Sequence, residues 1–131
     1  MNNNNCCCGK EPLSLKIKQG ESIGFAFTLS QNNVPIDLSN STLLLQVREN
    51  MQDKGLYLIE KTVTTQSNPN EDGLITDPTL GQFFFKINDT DIKDMSTTKP
   101  YYCAIYRVEN DISDCISAPD FQTALFLVLN P

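Results

Sequence analysis

Cysteine, aspartate and tyrosine supply most of the side chains in this sequence that could do chemistry, because the chain contains no histidine. Without histidine it lacks the usual general base, the serine and cysteine triads built on that base, and the commonest zinc ligand. Cys103 falls in a strand-like run and is interpreted as a small core residue rather than a nucleophile. A hydrolase that uses only acidic side chains stays open, since spacing does not reveal which carboxylates meet in space. The sequence favours a non-enzymatic protein and indicates no cofactor.

Residues 1–12 form a polar leader rich in asparagine and cysteine, and four of them are predicted interaction residues: Asn5, Cys6, Cys7 and Cys8. Three adjacent cysteines cannot easily turn their sulfurs towards one tetrahedral ion, and no fourth ligand lies nearby in the sequence. A docking arm that orders against a partner is the favoured interpretation. An intermolecular disulfide, a metal site and a lipid attachment remain alternatives.

The segment from Asn68 to Gly73 imitates the first half of a calcium loop, with oxygen-bearing side chains at Asn70 and Asp72. The twelfth position of such a loop would be Thr79, where a bidentate glutamate is required, and no helical pattern flanks the segment. The sequence therefore predicts a plain turn, and Asn70 and Asp72 are expected to contact a partner rather than a metal ion.

Tyrosines could stack against sugar rings, and Tyr57, Tyr101 and Tyr106 are the candidates. Tryptophan, the strongest stacking residue, is absent from the chain. Most of these tyrosines are expected to cover the edge of the core, while Tyr57 and Tyr101 are kept as predicted interaction residues. A carbohydrate-binding module is thus the alternative to a protein-docking role.

The composition is that of one soluble domain: 131 residues, 40% hydrophobic and 20% charged, with a net charge of −6. An acidic surface repels phosphates and anionic lipid heads, so neither a nucleic acid nor a membrane is an expected partner. An odd count of five cysteines excludes complete internal pairing and fits synthesis in a reducing cytoplasm. No apolar run is long enough to span a membrane, and the N-terminus lacks the features of a secretory signal.

The main structural signal is a period of two, in which Ile23, Phe25, Phe27 and Leu29 alternate with small or polar residues. Such alternation predicts a strand that buries one face. The acidic run at 89–95 predicts one helical turn, and 66–80 and 110–120 predict loops that either move or make contacts. The predicted strands are 13–18, about 22–30, 41–49, about 56–65, 81–87, 99–109 and about 121–129. Seven strands without helical periodicity predict an all-β antiparallel sandwich over residues 13–131.

Three stretches carry a resemblance to a known family: 31–48 (QNNVPIDLSNSTLLLQVR), 81–95 (GQFFFKINDTDIKDM) and 99–107 (KPYYCAIYR). Together they give a hairpin tip and strand with a Pro-Ile-Asp-Leu bend, a Gly-led strand, an acidic turn and a Tyr-rich strand. This order of segments is similar to that of the N-terminal domain of phage baseplate upper proteins, the BppU-like family. The similarity covers about residues 15–129. The Asn- and Cys-rich leader departs from the family pattern.

The resemblance implies an immunoglobulin-like β-sandwich that assembles virus particles, docking onto neighbouring virion proteins such as portal, tail, ring or baseplate components. It also implies a symmetric homo-oligomer within the virion, made in the bacterial host cytoplasm. In the family this domain usually precedes a fibre or receptor-binding region, and here nothing follows Pro131. A stand-alone copy is therefore expected to be a small fitting of a tailed phage, such as a collar, ring, baseplate or head component.

Overall fold

The computed structural model describes residues 13–49, 57–109, 112–115 and 125–131. The strands are β1 (Leu13–Lys18), β2 (Ile23–Thr28), β3 (Ser30–Gln31), β4 (Val34–Pro35), β5 (Thr42–Arg48), β6 (Ile59–Val63), β7 (Gly73–Asp77), β8 (Gln82–Ile87), β9 (Tyr101–Glu109), β10 (Ile112–Cys115) and β11 (Leu125–Asn130). One 3₁₀ turn, Pro78–Leu80, and one turn of α-helix, α1 (Asp89–Ile92), complete the described elements. No helix in this part of the chain has the length and apolar character needed to cross a membrane.

Two sheets form the fold. Sheet A has the order β1-β11-β9-β5-β6, with β10 paired to the second half of β9, and sheet B has the order β2-β8-β7. In their order across the sheets, β2, β8 and β7 correspond to strands B, E and D of an immunoglobulin domain, and β11, β9, β5 and β6 correspond to G, F, C and C′. The predicted all-β, immunoglobulin-like sandwich is confirmed. One pairing departs from the antiparallel prediction, because β1 runs parallel to β11.

That parallel pair joins the first and last described strands. Antiparallel neighbours can be joined by a tight hairpin, whereas parallel neighbours need a long connection, and here nearly the whole described chain lies between them. The pairing places β11 between β1 and β9. A position inside the sheet explains the nearly continuous apolar sequence of the last strand, as expected.

The core lies between the sheets and is built from the alternating residues of both. Phe27 stacks on Phe83 with 5.5 Å between ring centroids, and Phe83 meets Phe85 edge to face at 5.7 Å. The Phe27–Phe83 pair joins β2 to β8, and cross-strand aromatic pairs stabilise a sheet beyond the burial of their area. Cys103 is fully buried and carries a free thiol, as its interpretation as a core residue predicts.

The predicted hairpin tip and helical turn are both present. Asn32 and Asn33 have φ angles of 53° and 64°, the left-handed conformation that a tight hairpin requires. The turn α1 begins with a capping box, in which the Asp91 carboxylate accepts the Asn88 N–H at 2.8 Å.

The loop predictions need correction. The segment 66–80 contains strand β7 and the 3₁₀ turn, and the segment 110–120 contains strand β10. Turn-forming residues on both sides of Gly73–Asp77 concealed this short strand, since a run of five residues gives little periodicity to detect. The fourth predicted strand is also shorter, because β6 begins only at Ile59 and keeps a regular register with β5 to Val63.

Candidate docking surfaces

Four of the predicted interaction residues, Asn5, Cys6, Cys7 and Cys8, lie outside the described residues. The other four are described, namely Tyr57, Asn70, Asp72 and Tyr101, and they lie in three separate places. Asn70 and Asp72 belong to one turn, Tyr57 precedes β6, and Tyr101 begins β9.

Asn70 and Asp72 belong to a turn organised by Asn68. The backbone carbonyl of Asn68 accepts the N–H groups of residues 71–73 at 3.1 to 3.4 Å, and its side-chain oxygen accepts the Asn70 N–H at 2.9 Å. The side-chain bond is that of an Asx turn, which a short polar side chain makes with the backbone two residues on, and the others are backbone turn bonds. The predicted plain turn is therefore present, with Asn70 exposed at its surface.

Lys61 holds this turn against the rest of the molecule. Its side chain points inward from β6, where the residue is only 6% exposed, and its Nζ lies 2.8 Å from an Asp91 carboxylate oxygen. The same Nζ donates to the Glu71 carbonyl at 3.1 Å and lies 3.7 Å from Asp72. A buried ammonium is tolerated only when it is paired and hydrogen-bonded, and here both conditions are met. We call this group of contacts the Lys61 cross-link.

Tyr57 and Tyr101 have opposite environments. Tyr57 is 44% exposed and stands beside Leu58, which is 50% exposed, so both are available to a partner. Tyr101 is 3% exposed, and the prediction that it is an interaction residue is wrong. Its hydroxyl accepts the backbone N–H of Ser96 at 2.7 Å, and Lys99 lies over its ring at 5.6 Å from the centroid.

The contacts of Tyr101 make it a tyrosine corner. In immunoglobulin folds such a tyrosine begins strand F, stands two residues before the strand's cysteine, and bonds through its hydroxyl to backbone a few residues upstream. Tyr101 meets all three conditions relative to Cys103 and Ser96. The spacing Tyr-x-Cys was present in the sequence and could have identified this role.

The outer face of sheet A carries Arg48, which the sequence reasoning did not single out. Its guanidinium donates to the Gln46 side-chain oxygen at 2.6 Å and to the Tyr106 hydroxyl at 2.8 Å, and lies 5.9 Å from the Tyr106 ring centroid. The register places Ala104 directly opposite Gln46, between the contacts that Arg48 makes. The side chains in these contacts cover Ala104, which is fully buried although it lies on the outer face. The Arg48 Nε has no hydrogen-bond partner among the described residues.

A second surface lies where the β3–β4 hairpin meets the 3₁₀ turn, and we call it the hairpin end. Val34 is 63% exposed and Leu80 is 46% exposed. Backbone bonds hold the two segments together, from Leu38 N to Pro78 O at 2.9 Å and from Leu29 N to Gly81 O at 2.8 Å. The connections between strands B and C and between D and E lie here, and variable domains place their B–C binding loop at this end.

The structure gives each of three potentially reactive residues a structural environment: Cys103, Asp89 and Asp91. Burial raises the pKa of the Cys103 thiol, which disfavours the thiolate that a nucleophile requires. Asp89 is engaged with Ser22, whose hydroxyl accepts the Asp89 N–H at 3.0 Å, and Asp91 is engaged with Lys61. Each of these carboxyl-bearing residues therefore has a structural contact that accounts for its position.

Comparison with known proteins finds distant structural similarity and no family. No family model matches the chain, and no curated protein matches it. A solved structure of the natural killer cell receptor NKp44 is 13% identical, covers 91% of this chain and 98% of its own, and superposes with a TM-score of 0.47. The extracellular domain of the sodium channel β4 subunit is 17% identical, covers 92% of each chain, and has a TM-score of 0.39. The immunoglobulin-like assignment therefore rests on the strand order and the tyrosine corner.

Proposed function

We propose that this protein is a non-enzymatic structural component of a tailed bacteriophage particle, which docks onto neighbouring virion proteins. The similarity of 31–48, 81–95 and 99–107 to the BppU-like family supports a virion role. The observation that supports docking is the hairpin end, where apolar side chains stand exposed on a backbone already held by hydrogen bonds. Binding to such a preformed surface loses little conformational entropy.

The hairpin end is a better docking site than a flexible loop would be. Val34 lies in a two-residue strand paired with β3, and the adjoining Ile36 N–H donates to Leu29 O at 3.0 Å. Leu80 lies in the 3₁₀ turn that this same region packs against. Exposed aliphatic side chains on an ordered tip fill a pocket in a partner, while polar neighbours such as Gln31 form a rim.

The test is incorporation into particles. A phage lacking this gene is complemented with the wild-type protein, with a Val34→Asp/Leu80→Asp variant, or with the control Thr62→Asp, whose position is exposed on β6. The wild type and the control are expected in gradient-purified particles, and the double variant is expected to be reduced by about tenfold or more, because two buried charges oppose docking. Absence of the wild type from purified particles would refute the virion role.

Carbohydrate binding is the second candidate, and the exposure of Tyr57 is the observation that favours it. A sugar would stack on that ring beside Leu58. Saturable binding on a glycan array that is lost in Tyr57→Ala and kept in Tyr106→Phe would support this alternative. The burial of Tyr101 removes one of the other two tyrosines considered for this role.

A further inference from the structure

Among the described residues, the main strand orders end in four strands, besides the short β10 that pairs only with β9: β1 and β6 in sheet A, and β2 and β7 in sheet B. Three of these four carry features that block the addition of another strand. Natural sheets protect their edges with lysines, inward-pointing charges, bulges and prolines. The strand β1 exposes Lys16 and Lys18, β6 turns Lys61 inward, and β7 has a register shift between Ile75 and Asp77 followed by Pro78. The strand β2, with the sequence IGFAFT, has none of these features.

The backbone of β2 also has groups at its outer edge that pair with no other described strand. Lys86 of β8 donates its N–H to Asp72 O at 2.9 Å, towards β7, so Gly24 opposite Lys86 does not bond to β8. Antiparallel pairs alternate between bonded and non-bonded positions. The N–H and C=O groups of Gly24, Ala26 and Thr28 therefore point away from the sheet, and all three residues are exposed.

We infer that β2 pairs with β2 of a second copy of this chain, antiparallel and centred on Ala26. In that register Ala26 faces its own copy and Gly24 faces Thr28 of the other chain, so the outward groups match and form about six backbone hydrogen bonds. Phe25 of each chain lies beside Phe27 of the other at the closer, non-bonded spacing. The half-buried Phe25 and the 38% exposed Ile23 are covered by this pairing.

A second copy is the occupant because β2 matches itself in register and carries no charge that would oppose the pairing. Like charges directly opposite each other destabilise a strand pair, and β2 contains no charged residue although the whole chain carries −6. A two-fold axis at Ala26 also makes the contact isologous, the commonest arrangement in symmetric oligomers. The pairing would join two copies of sheet B into one continuous sheet.

The area of one strand edge sets the strength of this contact. A stable dimer commonly buries about 1,200 Å² or more, which a six-residue edge alone does not reach. The free protein is therefore expected to associate weakly, with Kd between about 10 μM and about 1 mM. Inside a particle, fixed neighbours raise the effective concentration, so the same contact becomes populated. In this respect the inference rests on the virion role proposed above.

Ala26→Pro tests the pairing in the full-length chain. Proline removes the Ala26 N–H, which sheet B does not use, so the fold is retained while the symmetric pair loses its central bonds. Ala26→Ser keeps the N–H and is the matched control. By sedimentation equilibrium, the wild type and Ala26→Ser are expected to dimerise, and Ala26→Pro is expected to be about tenfold or more weaker. A folded Ala26→Pro that dimerises as the wild type does would overturn the inference.

Amide hydrogen exchange locates the contact even if Ala26→Pro fails to fold. In the wild type, the amides of Gly24, Ala26 and Thr28 are expected to gain protection as protein concentration rises, while those of Phe25 and Phe27 are protected throughout. No concentration dependence at the first three amides would overturn the pairing, as would protection that appears only when another virion protein is added. Wild-type protein that enters particles but shows no concentration-dependent protection at these three amides would overturn this inference and leave the virion role standing.

Discussion

The sandwich has two long sides, and they are built differently. On the side formed by β6 and β7, the Ile75 N–H donates to Thr64 O at 3.0 Å, and the Lys61 cross-link ties β6 to the turn before β7 and to α1. On the side formed by β1 and β2, the strand of sheet B carries no charge, and Ile23 is 38% exposed. One side is closed by polar bonds within the chain, and the other leaves Ile23 and the edge backbone of β2 without a strand partner among the described residues.

This difference shows how one fold can separate stability from association. A lysine that points inward donates to local acceptors. It also disfavours the pairing of a new strand at its edge, because pairing would have to bury more charge. An edge with small, uncharged residues has no such barrier. The two sides should therefore respond in opposite ways to mutation, the closed side in the free energy of unfolding and the open side in the dimerisation constant.

The largest expected loss in the free energy of unfolding comes from replacing the glycine of β7, and the glycine of β2 provides the comparison. Gly73 begins β7 with a φ of +116°, and a Cβ there would lie 2.1 Å from the Phe84 carbonyl oxygen, a backbone atom that cannot move away. Gly73→Ala is expected to lower the free energy of unfolding by about 3 kcal/mol or more, measured by urea denaturation.

Gly24→Ala is the matched control on β2. The added Cβ would lie 3.3 Å from the Phe84 ring, which can shift, and alanine suits a strand better than glycine. A change below about 1 kcal/mol is therefore expected. Equal losses in the two variants would show that the two sides are equally constrained and would break the comparison.

The next effect concerns Lys61. Lys61→Ala removes the ammonium from Asp91 and from the Glu71 carbonyl, and leaves both acceptors short of a donor. Because the Asp91 side chain keeps 25% of its exposure, the expected loss is about 2 kcal/mol, below the range for fully buried pairs. Thr62→Ala, on the exposed face of the same strand, is expected to cost less than about 0.5 kcal/mol. A Lys61→Ala protein as stable as the wild type would mean that the cross-link contributes nothing net.

The sequence predicted β1, β2 and β6 but missed β7, and it did not predict how the two sides differ. The alternation of Ile23, Phe25 and Phe27 correctly gave a strand with one inward face, yet it cannot tell an edge from a centre, since that depends on which distant strands pair. Lys61 shares the phase of Ile59 and Val63, but Leu56 and Leu58 gave a competing phase, so the pattern alone did not show that Lys61 points inward. Its partner Asp91 is distant in sequence, so no local signal predicted the pair.

The candidate sites were predicted less well than the fold, for a related reason. Tyr57 and Tyr101 have the same side chain, and only long-range packing leaves one exposed and buries the other. The turn at Asn70 was predictable because Asn68 bonds to its own backbone within five residues. Local hydrogen bonding can be read from a sequence, whereas the exposure of a side chain is set by the assembled sheets.

A smaller effect is expected where α1 contacts the chain just before β2. The Ser22 hydroxyl accepts the Asp89 N–H at 3.0 Å, and it lies 3.3 Å from the Asp89 carboxylate. Both residues are exposed, so water replaces much of what Ser22→Ala removes. The expected loss by urea denaturation is about 0.5 kcal/mol. A loss as large as that of Lys61→Ala would indicate that the β1–β2 side is also held by polar bonds.

Ala26→Lys is expected to cause the smallest change in the free energy of unfolding and to abolish dimerisation. Ala26→Lys gives β2 the kind of exposed lysine that β1 already has at Lys16 and Lys18. The Ala26 side chain is exposed, so the free energy of unfolding is expected to change by less than about 0.5 kcal/mol. The two-fold axis would place the two new lysines directly opposite each other, and dimerisation in sedimentation experiments is expected to disappear. Raising the salt concentration should restore part of it, because ions screen the repulsion between exposed lysines. Dimerisation that persists at low salt would show that the open edge of β2 is not where the copies meet.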